Sequence, residues 1–251
     1  MRAVAWVAGA PIDVSDVDSR ELALRDGPVA PTLPRERTGE GRQLRRWLVQ
    51  VLVAERLVTA EATARRLTTA DAPPLTTIAP DRAAMLGLGS VAADLLTRNP
   101  LARAVFTAVT AEVTVPAEAV TRFYAGNAFE VPEERVVHHR IGDAPAHRRV
   151  LRRGELTGPV EDAVFAASPG DTVGPVEDPL GTHTLVVEEV RPPRTKPLSE
   201  VRQSITEFLL APARRRAFTA WLDHHMATDV RLAPGYEHPG DPNQPDNTHR
   251  H

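Results

Sequence analysis

The longest regular pattern of apolar and polar positions lies between Glu40 and Val58. Apolar residues recur there at spacings of three and four, which is typical of an amphipathic helix, and charged residues fall mostly off the stripe. The stripe consists of Leu44, Trp47, Leu48, Val51, Leu52 and Leu57. We predict a helix whose apolar face packs into a core, followed by a second helix that Thr59 caps. An exposed stripe of this kind would instead hold an unfolded client protein.

Weaker patterns flank this helix on both sides. Short strands are predicted at Ala3–Val7 and near Asp229–Leu232, and these two strands can pair and so join the ends of the chain. Helical spacing predicts further helices over residues 83–96, 101–113 and 198–209. Pro212 should end or kink the last of these, because proline lacks an N–H and clashes with the preceding turn. A separate helical piece then carries Phe218 and Leu222.

The pattern changes after residue 130, where β-branched residues become frequent. Strands are predicted at Val131–Ile141, Gly174–Val176 and Thr182–Val190, with a short helix at Pro159–Ala167. The chain therefore reads as helices, then a small unit of helix and strands, then helices again. This order predicts an α+β fold.

Composition limits the classes of function. The chain has 251 residues, of which 42% are hydrophobic and 25% charged, so it can bury a core. Its net charge of −3 indicates no nucleic-acid partner. It contains no cysteine, which excludes disulfides, thiolate metal sites and cysteine nucleophiles. It has neither a stretch of about 20 apolar residues nor a secretion-signal pattern, so we expect no membrane association and a cytoplasmic location.

A series of short motifs runs from residue 151 to residue 190. Arg153-Gly154-Glu155-Leu156 is followed by Val160–Phe165, then by Pro169-Gly170-Asp171 and Gly174-Pro175-Val176, and finally by Gly181-Thr182-His183. This order and spacing resemble the second half of a parvulin-type (PpiC, rotamase) peptidyl-prolyl isomerase domain. Upstream, ERVVHHRI at residues 134–141 resembles the first parvulin strand, which carries the second histidine of that family at the position of His139.

The flanking segments resemble chaperones of the SurA and PrsA type, in which a parvulin domain is inserted into a helical module. The resemblance implies that His139 and His183 are the catalytic residues. It further implies that Leu156 and Val160 contact the substrate proline, and that neither a metal nor a cofactor is needed. In that family the two histidines form a hydrogen-bonded pair that also stabilises the fold, so a purely structural role for them stays open.

The chain departs from the parvulin pattern in two places. Only Gly142–Val150 connects the first two strands, where the family has several tens of residues of helix, and Asp143 is the one acid left in that connection. The family normally has an acidic or thiol residue there, beside the histidines. Leu156 replaces the usual methionine and Val160 the usual phenylalanine, which leaves a smaller apolar shelf for a proline ring.

Together these features predict four segments. Residues 1–112 form a helical chaperone-like segment, residues 113–190 a shortened parvulin-like antiparallel sheet domain, residues 191–233 a helix and strand that return to the first module, and residues 234–251 a disordered tail. The partner expected is unfolded or extended polypeptide.

Three functions remain open from the sequence. The first is a chaperone or foldase that binds extended, Pro-containing polypeptide and has weak or lost isomerase activity. The second is an active isomerase with a reduced site, and the third is an assembly factor for one dedicated protein partner. A metal site at His138, His139 and His147, or at His224 and His225, is a further alternative, although adjacent histidines on a strand point to opposite faces.

Overall fold

A computed structural model describes residues 2–241 of the chain. The strands are β1 (Ala3–Val7), β2 (Ala10–Asp13), β3 (Glu130–Val131), β4 (Glu134–Ile141), β5 (His147–Arg152), β6 (Thr172–Asp178), β7 (Gly181–Arg191), β8 (Arg194–Thr195) and β9 (Val230–Leu232). The helices are α1 (Val14–Arg25), α2 (Gly39–Arg65), α3 (Leu75–Ile78), α4 (Arg82–Leu86), α5 (Ser90–Arg98), α6 (Pro100–Val109), α7 (Ala117–Ala125), α8 (Pro159–Ala166) and α9 (Leu198–Thr228). Between residues 2 and 241, no helix is long and apolar enough to cross a bilayer.

The chain divides into two compact units. The first contains residues 2–115 together with residues 208–241, and the second is Pro116–Glu207. The predicted segment 113–190 lies largely within the second unit, and the predicted segment 191–233 is shared between the two. Tyr236, which falls in the predicted disordered tail, packs against the core of the first unit. Residues 242–251 of that tail lie outside the described residues.

Helix α2 forms the centre of the first unit. The Thr38 hydroxyl caps it by accepting a hydrogen bond from the Gly41 N–H at 3.1 Å. The helix then runs past Thr59, so the predicted break there is wrong. The Thr59 hydroxyl donates to the Glu55 carbonyl one turn back, at 2.8 Å, instead of capping a new helix. The predicted stripe is buried or partly buried in the core, so it is not an exposed groove for a client.

A three-stranded sheet closes the first unit, in the order β2-β1-β9. The predicted pairing of the two ends of the chain is confirmed, because β1 pairs antiparallel with β9 from Ala5 opposite Leu232 to Val7 opposite Val230. Val4 and Ala5 of β1 are fully buried and extend the helical core onto this sheet.

Helix α9 is continuous through Pro212, so of the two predicted outcomes, an end or a kink, the end does not occur. A proline inside a helix removes one backbone hydrogen bond, which the packing of the turns on either side must offset. Val201 and Ile205 are buried before the proline, and Phe218 and Leu222 are buried after it. Packing on both sides therefore outweighs the local cost.

The second unit contains a four-stranded antiparallel sheet in the order β5-β4-β7-β6, with α8 on one face. Its core consists of Val137, Leu151, Val160, Val164, Phe165, Val173, Leu185 and Val187. The short strands β3 and β8 form a separate two-stranded ladder. With helical and antiparallel sheet elements in one chain, the predicted α+β class is confirmed.

Candidate functional site

The two histidines that the sequence singled out lie side by side in the second unit. His139 Nε2 is 2.8 Å from His183 Nδ1, and the ring centroids are 5.0 Å apart with an interplanar angle of 27°. His139 is 6% exposed and His183 is 2% exposed. The pair is therefore a hydrogen-bonded, buried extension of the sheet core.

The register of the sheet places these rings together. On β4 and β7, His139 lies opposite Leu185 and Ile141 lies opposite His183, so the two histidines are diagonal neighbours on one face. Beside His183, strand β6 departs from regular pairing at Gly174 and Pro175. Gly174 has φ +114°, and a Cβ there would collide with the His183 backbone carbonyl. Glycine is required at this position for the close approach of β6 to β7.

An acidic residue completes the pair, and the sequence reading missed it. Asp178 Oδ1 is 2.7 Å from His183 Nε2, while the exposed Asp143 in the shortened connection is not the acid at the site. Asp178 stands in the hairpin between β6 and β7, where its Oδ1 also accepts from the Leu180 N–H at 2.7 Å. The signal that could have found it is an Asp-Pro turn five residues before the histidine, since aspartate commonly bonds the backbone two residues on.

The local charges favour a neutral His139 and an ionised Asp178. Burial lowers the pKa of His139 below its ordinary value, and the neighbouring His183 and Arg149 lower it further, against an opposing effect of Asp178. For Asp178, burial would raise the pKa, but the hydrogen bonds from the Leu180 N–H and from His183 bring that pKa below its usual value. The carboxylate therefore only accepts hydrogen bonds.

The two residues predicted to contact a substrate proline lie in different surroundings. Leu156 is partly exposed and packs against the edge of the core. Val160 is 1% exposed and belongs to the core itself, beneath the surface, so its contact with a substrate proline stays a prediction. It is the second residue of α8, whose buried face lies against the sheet. Arg135 fixes the other end of α8 by donating to the Phe165 carbonyl at 2.8 Å.

Two other apolar side chains flank His183 on the face of the pair. The register places Ile141 of β4 and Val176 of β6 opposite His183 on either side, and both are partly exposed. Sequence reasoning missed both residues, because strand alternation shows which residues share a face but not which strands become neighbours.

The alternative metal sites are not formed. His138 points to the opposite face of β4 from His139, where its Nε2 lies 3.6 Å from Glu188. In the first unit, His225 Nδ1 pairs with Asp229 Oδ2 at 2.6 Å on a partly exposed surface. Throughout residues 2–241, no three His, Asp or Glu side chains are grouped so that they could hold a metal ion.

Comparison with known proteins gave two family matches. Residues 102–203 match the model of the PPIC-type PPIASE domain. Residues 3–40 match a family of unknown function, DUF7158. No curated protein matches the chain.

Solved structures of chaperones are also similar to this chain. A SurA-like chaperone from Campylobacter jejuni is 9% identical, with 93% of this chain and 100% of that chain covered and a TM-score of 0.43. A second SurA-like structure from the same organism is 15% identical, with 89% and 94% covered and a TM-score of 0.35. The peptidylprolyl isomerase PrsA from Bacillus anthracis is 13% identical, with 84% and 96% covered and a TM-score of 0.22.

The family match includes both histidines, Asp178 and the whole four-stranded sheet. It begins earlier in the chain than the predicted domain and ends inside α9. The resemblance found in the sequence is thus confirmed: residues 102–203 of this chain are similar to the PpiC-type peptidyl-prolyl isomerase domain, the rotamase domain of the parvulin family.

Proposed function

We propose that this chain is a foldase of the chaperone type that binds extended, Pro-containing polypeptide and has weak or no peptidyl-prolyl isomerase activity. The observation that carries this proposal is the buried, internally bonded pair of His139 and His183 within a segment that matches an isomerase domain. The match supports a polypeptide substrate, and the burial of both rings and of Val160, which leaves little surface for a proline ring, supports a low rate.

The chemistry of the X–Pro bond explains why the rate should be low. Amide resonance opposes rotation by about 18–20 kcal/mol, so a catalyst must bind the twisted amide more tightly than the planar one. That requires an apolar surface for the proline ring and a polar group free to bond the twisted amide. Here the imidazoles bond each other and Asp178, and Val160 is withdrawn into the core.

Exposed apolar side chains offer places where extended polypeptide can bind. In the second unit, Leu180 is 76% exposed in the same hairpin as Asp178, and Val186 is 40% exposed on β7. In the first unit, Leu86 is 71% exposed. An extended polypeptide that contacts such side chains removes their apolar surface from water, which is the driving force for binding.

Two assays on the purified full-length chain test the proposal. We expect a protease-coupled assay with a short X–Pro peptide to show little or no acceleration, and an aggregation assay with a chemically unfolded protein to show suppression. His139→Ala and the neighbouring His138→Ala form a matched pair, because only the first alters the histidine pair. A chain that neither suppresses aggregation nor binds an unfolded protein would refute the proposal.

The second candidate is an active isomerase, and the observation that favours it is the retention of both histidines together with a carboxylate. Strong acceleration that His183→Ala abolishes and His138→Ala leaves unchanged would establish this candidate. A dedicated protein partner and the expected cytoplasmic location stay predictions, to be checked by co-purification in stoichiometric amounts and by cell fractionation.

A further inference from the structure

A continuous chain of hydrogen bonds runs across three strands of the second unit. It starts at the Asp178 carboxylate on β6, passes through both nitrogens of His183 on β7 and ends at Nε2 of His139 on β4. The two links measure 2.7 and 2.8 Å. Every member is buried or half-buried, so water has little access to these hydrogen bonds.

The polarity of this chain follows from its acidic end. An ionised carboxylate can only accept, so His183 must carry a proton on Nε2. When His183 is neutral, its Nδ1 then holds a lone pair, and His139 must donate to it from Nε2. His139 Nδ1 is therefore left with a lone pair as well. In this arrangement both imidazole protons are used inside the chain, and neither ring has an N–H to offer to a ligand.

We propose that Asp178 is a positioning residue that locks His139 and His183 with their protons on Nε2, so that neither imidazole donates to a bound X–Pro amide. The proposal rests on the proposed function for its consequence, a low isomerase rate. Asp178 acts through the imidazoles and does not itself contact the polypeptide.

The hairpin holds the carboxylate in place. Asp178 Oδ1 accepts from the Leu180 N–H as well as from His183, and the backbone of Asp178 pairs with Gly181. The same oxygen therefore closes the turn and accepts the hydrogen bond from His183 Nε2. The turn thereby keeps the acceptor within hydrogen-bond distance of His183 Nε2.

Two further groups near the pair lie on β5. His147 on β5 lies opposite His139, and Arg149, also on β5, is bound to Glu155 at 2.8 Å. Burial, His183 and Arg149 together lower the pKa of His139. The Asp178 carboxylate lies at one end of the hydrogen-bond chain and the cationic Arg149 lies near the other. This charge arrangement favours ring protons on the nitrogens that point toward Asp178.

Without Asp178 the polarity of the pair can reverse. His183 is then free to carry its proton on Nδ1 and donate to His139 Nε2, which leaves His139 with a proton on Nδ1. That N–H can bond a twisted amide. One added hydrogen bond of ordinary strength corresponds to an increase of about two- to tenfold in rate.

The test uses the full-length chain labelled with ¹⁵N, at about pH 8, well above the ordinary histidine pKa of about 6.5. Long-range ¹H–¹⁵N spectra distinguish protonated from unprotonated ring nitrogens. In the wild type we expect protonated Nε2 and unprotonated Nδ1 in both His139 and His183. In Asp178→Ala we expect the two signatures of His183 to exchange and the isomerase rate to rise about two- to tenfold.

Two control variants accompany Asp178→Ala. Asp178→Asn keeps an oxygen that accepts from Leu180 and His183, so it should retain the wild-type tautomers. Asp229→Ala removes the acid from the other Asp–His pair, which lies in the first unit, and should leave the signals of His139 and His183 unchanged.

The proposal is overturned if wild-type His183 carries its proton on Nδ1, a measurement that needs no variant to fold. It is also overturned if Asp178→Ala leaves both tautomers unchanged, or if the variant changes them and slows isomerisation. The spectra need no polypeptide, so their outcome is separate from the aggregation assay. Failure to bind unfolded protein would refute the proposed function and leave the tautomers as measured.

Discussion

The cores of the two units differ in the side chains that adjoin them, because the second adjoins two buried histidines. In the first unit, aliphatic and aromatic side chains from α2, α5, α6 and α9 pack together, and Phe218 at 0% exposure is at the centre. In the second unit, the small core of sheet and α8 passes directly into two buried imidazoles. A change in the first core should therefore affect stability alone, whereas a change in the second should affect stability and the candidate site together.

The largest effect is expected for Phe218→Ala in the first unit. The centroid of the Phe218 ring lies 5.3 Å from that of Phe106 and 5.7 Å from that of Trp221. Removal of the Phe218 ring therefore leaves a large cavity between them. We expect a loss of about 3–5 kcal/mol in the free energy of unfolding. All three tryptophans lie in the first unit, so urea unfolding followed by tryptophan fluorescence reports on it.

The histidine signals of the second unit should stay unchanged in folded Phe218→Ala. Phe208→Ala is the matched control, because Phe208 is 64% exposed on the same helix. Equal losses for both variants would contradict the central place given to Phe218.

A smaller but double effect is expected for Leu185→Ala in the second unit. Leu185 is fully buried and lies opposite His139 in the sheet. Its truncation should cost about 2–5 kcal/mol and also shift the ring signals of His139 and His183, because the cavity opens beside them. Urea titration followed by the NMR signals of β4 and β7 measures both. If Leu185→Ala lowers the free energy of unfolding but leaves the NMR signals of the two histidine rings unchanged, the core and the site are not coupled. Val186→Ala, on the opposite face of the sheet, serves as the control.

The third expectation concerns pH. Because the pKa of His139 is lowered on folding, the unfolded chain binds the proton more readily. The contribution of His139 is fully present above the unfolded pKa of about 6.5 and is lost as the pH falls, at no more than about 1.4 kcal/mol per pH unit. Urea midpoints of the second unit between about pH 5 and 8 should show this slope. His139→Phe should flatten it and His138→Ala should not; an equal slope in both variants would assign the dependence to another group.

The smallest effect is expected for Arg148→Ala. Arg148 binds Glu188 on the exposed face of the sheet through two bonds of 2.7 and 3.1 Å. Exposed pairs of this kind contribute little, because solvent screens them. The urea midpoint and the histidine signals should both stay at their wild-type values. A clear fall in the midpoint would show that the edge strand β5 depends on its surface ion pairs.

Most of the helices and strands that build the core of the first unit could be predicted from local patterns. The stripe of α2 and the two strands that join the chain ends follow from spacing and β-branched composition, which depend only on neighbours in sequence. The differences arose at Thr59 and Pro212, where local signals for a helix end were outweighed by packing on both sides. Such tertiary compensation leaves no mark in a short sequence window.

The histidine pair was anticipated because its motifs resemble a known domain, and the sheet then brought the two rings to within hydrogen-bond distance. The role of Asp178 could not be read in the same way. Its effect depends on the irregular pairing of β6 beside His183 and on a turn that directs one oxygen at both a backbone N–H and an imidazole.

Local order along the chain was thus sufficient for the position of most helices and strands, although not for every helix end, and for the α+β class and the two histidines. The burial of Val160, the neighbourhood of Ile141 and Val176, and the link from Asp178 to His183 emerged only from strand order and register. These properties join residues that lie far apart in sequence or on different strands, and the free energy that sets them comes from packing the whole sheet against α8 rather than from any short segment.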